Sequence, residues 1–154
     1  MKVAIGADHR GFKTKSFITT YLKRRGIEVL DHGTLSEEPV DYPDIAWHVG
    51  TSVALKRVKF GILLCYSGQG MVMAANKVKG VRAALCVDKI GARLSRAHND
   101  ANVLVLPAGF MPYGRKMREI INTFLTAKFE RGRHLRRVRK MEEHQKSRAM
   151  LSRP

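Results

Sequence analysis

The chain is short of cysteine, tryptophan and acidic residues, and each shortage narrows what the protein is. Two cysteines, Cys65 and Cys86, are too few for a disulfide scaffold, and both follow apolar runs, so reduced and buried thiols are expected. No apolar run approaches the roughly 18 residues that span a membrane. The N-terminus opens at once on the strand-like "KVAIGAD" instead of a charged and then apolar leader. A soluble cytoplasmic protein is the expectation. No pair of His or Cys residues has a recognised zinc spacing, which argues against a metal. Nucleotide-binding loops are missing too: "GADHRG" has neither the Lys-Ser/Thr of a P-loop nor the three-glycine dinucleotide fingerprint. Internal repeats, low-complexity segments and interdomain linkers are also lacking.

The deficit of acid leaves an excess of base: 13 Asp and Glu against 29 Lys and Arg, a formal net charge of +16. Such a field attracts nucleic acids, anionic membranes and phosphorylated metabolites alike, so charge alone does not choose among them. Its distribution says more. The stretch "RGRHLRRVRKMEEHQKSRAMLSRP" from Arg131 onward concentrates basic residues, and Arg133, Arg136 or Arg137, and Lys140 share one helical face. That face is either simply solvated or a phosphate-capturing surface, for which the planar guanidinium is well suited.

A length of 154 residues with 44% apolar content suits one domain with a sizeable core, spanning 1–154 with a basic helical tail from about 131. "KVAIGA", "IEVLDHG", "FGILLC", "VRAALCV" and "ANVLVLP" read as strands. Helical patterns lie between them: from Gly11 to Gly26, from about Pro43, in "GMVMAANKV" and in "KIGARLSRAHN". Two more helices follow, from about Pro112 to Phe129 and from about Gly132 to Lys146. Continuous apolar strands alternating with helices predict a three-layer α/β/α domain around a five-stranded parallel sheet, with C-terminal helices added. Ligands of such sheets sit beyond the carboxyl ends of the strands, which draws attention to Asp8, His9 and the segment from Cys65 to Gly70.

Asp8 either caps the first helix or faces a ligand. In "LLCYSGQGM", Cys65 ends a strand and a helix starts near Gly70, so the amides of residues 67–70 converge close to the thiol. The positive helix end then favours a thiolate and the amides suit a substrate oxyanion. The alternative is an inert buried thiol beside a tight turn. Cys86 lacks a glycine nest and reads as core. His98, in "RAHND", is either a general acid/base or a cap favourable to the helix dipole.

Taken together, "KVAIGADHRGF", "DHGT", "VDYPD", "GILLC.SG.GM..AANK", "GVRAALC", "ARLSRAHNDANVL" and "GRH..RV" resemble the ribose-5-phosphate isomerase B family, which includes related hexose-6-phosphate isomerases. The resemblance covers nearly the whole chain. It implies a Rossmann-like domain, usually a homodimer with two active sites shared between subunits, and aldose–ketose isomerisation through an enediolate without metal or nucleotide. Carried over, Cys65 is the base between C1 and C2, and the amides of Ser67, Gly68, Gln69 and Gly70 stabilise the enediolate oxygen with help from the Ser67 hydroxyl. His98 of the partner subunit helps open the furanose ring. Asp8 and Asn99 hold sugar hydroxyls, and His9, Arg133 and Arg137 receive the phosphate. One branch uses a Glu after the glycine turn; Met71 at that position places this chain with the cysteine branch.

Two departures stand out. Tyr66 follows the cysteine where the family usually has Gly, and Gly109 occupies the position of an Arg that reaches the partner's phosphate site, leaving Arg115 or the basic tail to substitute. Ser67 replaces the commoner Thr and keeps a hydroxyl. The expected substrate is ribose 5-phosphate, with another pentose- or hexose-phosphate as the alternative. A binder of nucleic acid or another polyanion on the same fold is the rival from a different class. Against it stands the joint presence of Cys65, Ser67, His98, Arg133 and Arg137.

Overall fold

The computed structural model describes the backbone of residues 1–151 and the side chains of residues 1–144. Five strands, β1 (Lys2–Ala7), β2 (Glu28–Asp31), β3 (Phe60–Cys65), β4 (Ala83–Leu85) and β5 (Val103–Pro107), form one parallel sheet in the order β2-β1-β3-β5-β4. Between and after them run α1 (Phe12–Arg24), α2 (Tyr42–Ala54), α3 (Gln69–Ala75), α4 (Lys89–Asn99), α5 (Arg115–Thr126) and α6 (Gly132–Leu151). Among the described residues, no helix is long and apolar enough to cross a membrane.

The three-layer reading follows from burial with a period of two. Val3, Ile5, Ala7, Ile62, Leu64, Leu104 and Leu106 face one core with Ile18 and Leu22 of α1 and Ile120 and Phe124 of α5. Ala4, Leu63, Cys65, Val103 and Val105 face the other, against Ile45 and Val49 of α2 and Met71 and Ala75 of α3. Both faces of the central strands are therefore apolar, which is why these strands are continuous hydrophobic runs. Cys86 is buried in the first core, as expected of it, and both thiols are free.

The fourth strand is shorter than "VRAALCV" predicts. At this edge the side chain of Asn76 takes over: its Oδ1 accepts from Ala83 N–H at 2.8 Å and its Nδ2 donates to Ala83 O at 3.0 Å. On the other side, toward β5, the Arg82 N–H is taken by Asn102 Oδ1 at 2.8 Å. The Asn76 side-chain amide thus stands in for a neighbouring strand and blunts the exposed edge. Helix α5 starts later and ends earlier than the periodicity suggests, because Ala127 already turns to an extended backbone (φ −62°, ψ 138°).

The connection after β1 leads to β2 on one side, whereas that after β3 leads toward β4 on the other. Chain direction therefore diverges between β1 and β3, and a crevice opens at their carboxyl ends. The segments Asp8–Gly11 and Tyr66–Gly68 enter it.

Candidate active site

At the end of β3 the chain turns sharply so that α3 begins almost above the thiol. Gly68 adopts the left-handed conformation (φ +78°), and its N–H donates to Cys65 Sγ at 3.0 Å. The Ser67 and Met71 amides also act on the sulfur, so Ser67 and Gly68 of the expected residues 67–70 reach it, Met71 adds a third amide, and Gln69 N–H turns to the Ser67 hydroxyl instead. The Ser67 hydroxyl accepts from Gln69 N–H at 3.3 Å, holding the turn. Asp8, buried after β1, lies close enough to act on Cys65, and its Oδ1 accepts from Gly11 N–H at 3.0 Å. Asp8 therefore does brace the turn before α1 while facing the thiol. His9 carries a buried Nδ1 without a hydrogen-bond partner. Gly70 leaves room for the Tyr42 ring, whose Cζ lies 2.6 Å from where a Cβ would be.

The expected lowering of the Cys65 pKa is corrected by this geometry. Burial pushes the thiol up, and the nearby Asp8 carboxylate adds to that; the amides of Met71, Gly68 and Ser67 oppose it without overcoming it. Taking charge out of water outweighs a few fixed dipoles. In a lone protomer the group is a thiol that becomes a strong base once ionised.

Gly68 is required twice over, by its positive φ and by space: a Cβ there would lie 2.4 Å from Leu85 Cδ1. A Gly68→Ala substitution is expected to cost about 2 kcal/mol of stability, combining left-handed strain with overpacking. Chemical denaturation measures this as a lower midpoint, and an unchanged midpoint would contradict the reading.

The remaining predicted residues gather elsewhere. His98 and Asn99 end α4, which runs back across the sheet and delivers them to the amino ends of the strands. The Asn99 carbonyl accepts from Nε of Arg82, just before β4, at 3.1 Å. Gly61, near the start of β3, donates to Asn102 O at 2.9 Å. Cys65 instead pairs with Pro107, the last residue of β5. At about 3.3 Å per residue, the length of β3 alone puts roughly 17 Å between these two groups.

There His98 stacks on His134 of α6, ring centroids 4.2 Å apart and nearly parallel at 5°. Glu130 Oε2 lies 3.6 Å from His98 Nε2 and 3.7 Å from His134 Nε2. Burial, then the neighbouring His98 and Arg133, lower the His134 pKa, with Glu130 acting the other way and Arg137 adding a smaller push. Arg133 and Arg137 are exposed on this helix, whereas His134 and Val138 form its inward stripe. The basic face expected of the tail is real over these turns. Lys146 and its neighbours lie outside the residues whose side chains are described.

Sequence reasoning passed over Glu130 and His134. The four-residue spacing of His134 and Val138 among arginines was the available signal. Arg115, suggested as a substitute for the missing phosphate ligand, has its Nε paired with Glu119 at 2.8 Å, one turn along exposed α5.

A thiol ringed by amides at the switch point of a parallel sheet, with a separate cluster of histidines and arginines, defines a Rossmann-like α/β/α protein equipped to hold an anion beside a base. Residues 3–141 match the model of the Ribose/Galactose Isomerase family, and the chain belongs to that family. It is 45% identical over 138 residues to ribose-5-phosphate isomerase B of Escherichia coli K12, covering 89% of this chain and 91% of the relative. A ribose 5-phosphate isomerase from Thermotoga maritima superposes with a TM-score of 0.90 at 50% identity, over 92% of this chain and 97% of that one. The Mycoplasma genitalium ribose-5-phosphate isomerase B with bound ribulose-5-phosphate gives a TM-score of 0.89 at 41% identity, over 94% and 96% of the two chains.

Proposed function

We propose that the protein is a cytoplasmic homodimer that interconverts ribose 5-phosphate and ribulose 5-phosphate. The observation that carries this reading is the loop after β3, where the Gly68 amide stands 3.0 Å from the Cys65 sulfur at the head of α3. A sugar carbon is a weak acid, so its deprotonation needs a base and a stabilised anion in the same place. Ionised Cys65 takes the proton from C2 of the open-chain aldose. The electron pair moves into a C1–C2 enediolate with its charge on O1; O1 gains a proton as O2 loses one, and the proton held by Cys65 returns at C1 to give the ketose.

Amides from Ser67 to Gly70, with the Ser67 hydroxyl, take the charge on the enediolate oxygen. Asp8 and Asn99 hold hydroxyls. The unpartnered buried Nδ1 of His9 offers one ligand for the phosphate, and Arg133 and Arg137 offer two more. Because the thiol and His98 lie at opposite ends of one sheet, ring opening by His98 requires a second copy, which supports the shared site.

The test is incubation of the purified protein with ribose 5-phosphate and, separately, with hexose 6-phosphates, following ketose formation. Ribulose 5-phosphate should appear with the highest kcat/KM. A hexose preference would shift the substrate, and no ketose from any of them would remove the isomerase assignment.

A further inference from the structure

Tyr66 and Gly109 fit each other. The Tyr66 ring lies directly over Gly109: a Cβ at residue 109 would fall 2.2 Å from Tyr66 Cδ2 and 2.4 Å from Cε2. No φ in the left-handed range is involved at Gly109, so what the glycine supplies is room. The backbones are joined as well, since Gly109 N–H donates to Tyr66 O and Ala108 N–H to Cys65 O, each at 2.9 Å. Phe110 closes the other side, meeting the Tyr66 ring edge to face at 5.1 Å and 64°. Tyr66 is thus a half-exposed ring (46%) fixed in place one residue after the thiol.

On that ring lies Arg10, its Cζ 5.2 Å from the centroid. Arg10 follows His9 in the turn after β1, at the same end of the sheet as the thiol. It is exposed, and the ring contact is its only interaction among the described residues. Aromatic stacking orders a guanidinium without neutralising it, because the ring quadrupole attracts the cation and leaves its N–H donors free. An ordered, uncompensated guanidinium at the mouth of an anion-binding crevice is suited to a phosphate, which its planar fork can grip with two hydrogen bonds.

Resting on the isomerase reading, we propose that Arg10, seated on the Tyr66 platform, is a phosphate-binding residue in this chain. Tyr66 is its positioning residue. Gly109 carries no group of its own to the site; it makes space for the ring that presents Arg10. The three positions form one device, and bulk at residue 109 dislodges both the ring and the cation.

The experiment compares Arg10→Gln, Tyr66→Leu, Tyr66→Phe and the Arg10→Gln/Tyr66→Leu double variant in steady-state turnover of ribose 5-phosphate. Calorimetric titration of each with inorganic phosphate runs alongside. Loss of one charge-assisted contact raises KM for Arg10→Gln by about tenfold or more, with a smaller change in kcat. Tyr66→Leu raises KM in the same direction, Tyr66→Phe keeps the ring face and stays close to the parent, and the double variant is no worse than Arg10→Gln. Equal KM for Arg10→Gln and parent would overturn the proposal, as would independent, additive effects of Arg10→Gln and Tyr66→Leu. If the parent turns over no sugar phosphate, the isomerase reading fails by itself. The titration still decides on Arg10: weaker phosphate binding by Arg10→Gln supports the site, and unchanged binding removes it.

Discussion

A Cys65→Ala variant should lose ribose 5-phosphate turnover by about a thousandfold, since a positioned acid or base contributes on the order of 10²–10⁴ and Asp8, the carboxylate beside Cys65, is assigned to sugar hydroxyls. The fold should survive. The side chain is small, and the surrounding Leu63, Met71 and Val105 keep that core packed, so a cost of about 1 kcal/mol is expected. Circular dichroism and a melting curve establish the intact fold, against which the activity loss is read. Cys86→Ala is the matched control. It removes a thiol of similar burial from the opposite core and should leave turnover near that of the parent. Because burial pushes the Cys65 thiol up, its ionised fraction is small at neutral pH and grows with alkalinity. The kcat/KM profile should accordingly rise with pH above neutrality, as the free enzyme's base ionises. A flat profile, or turnover retained by Cys65→Ala, would take the role of base from this residue.

The layered sheet was legible because its strands are buried on both faces, which writes them into the sequence as unbroken apolar runs such as Ile62 to Leu64. The loop after β3 was legible for a similar reason: Ser67, Gly68 and Gly70 directly after an apolar strand leave few conformations besides a tight turn into a helix. The sign of the Cys65 shift was not legible. It is a balance of desolvation against dipoles, and desolvation depends on what α2 and α3 lay over the sulfur. The edge at β4 was not legible because the residue that covers its start, Asn76, acts from the preceding helix cap and has no signature of its own. Tyr66, Gly109 and Arg10 are three loop residues from three strand ends. Only tertiary packing shows that an apparent loss at one is a fit to another. Arg115 illustrates the opposite case, since its pairing with Glu119 one turn away could have been read from the spacing alone.

Two inactive variants should restore each other. His98→Ala, lacking the group that opens the ring, is expected to lose activity by about a hundredfold or more, and Cys65→Ala by more still. In the symmetric dimer proposed above, each site would combine the carboxyl end of one sheet with the α4–α6 cluster of the other copy. Mixing the variants and allowing subunits to exchange yields a heterodimer in which one site lacks both groups and the other retains both. With equal amounts and random pairing, half the dimers are mixed and each has one working site, so about a quarter of the parent activity returns. Recovery should follow the rate of subunit exchange and vanish if each variant is cross-linked with itself before mixing. If both groups instead served a site within one chain, no mixture could exceed its components. That outcome conflicts with the topology, in which α4 carries His98 away from the carboxyl end of β3 where Cys65 lies.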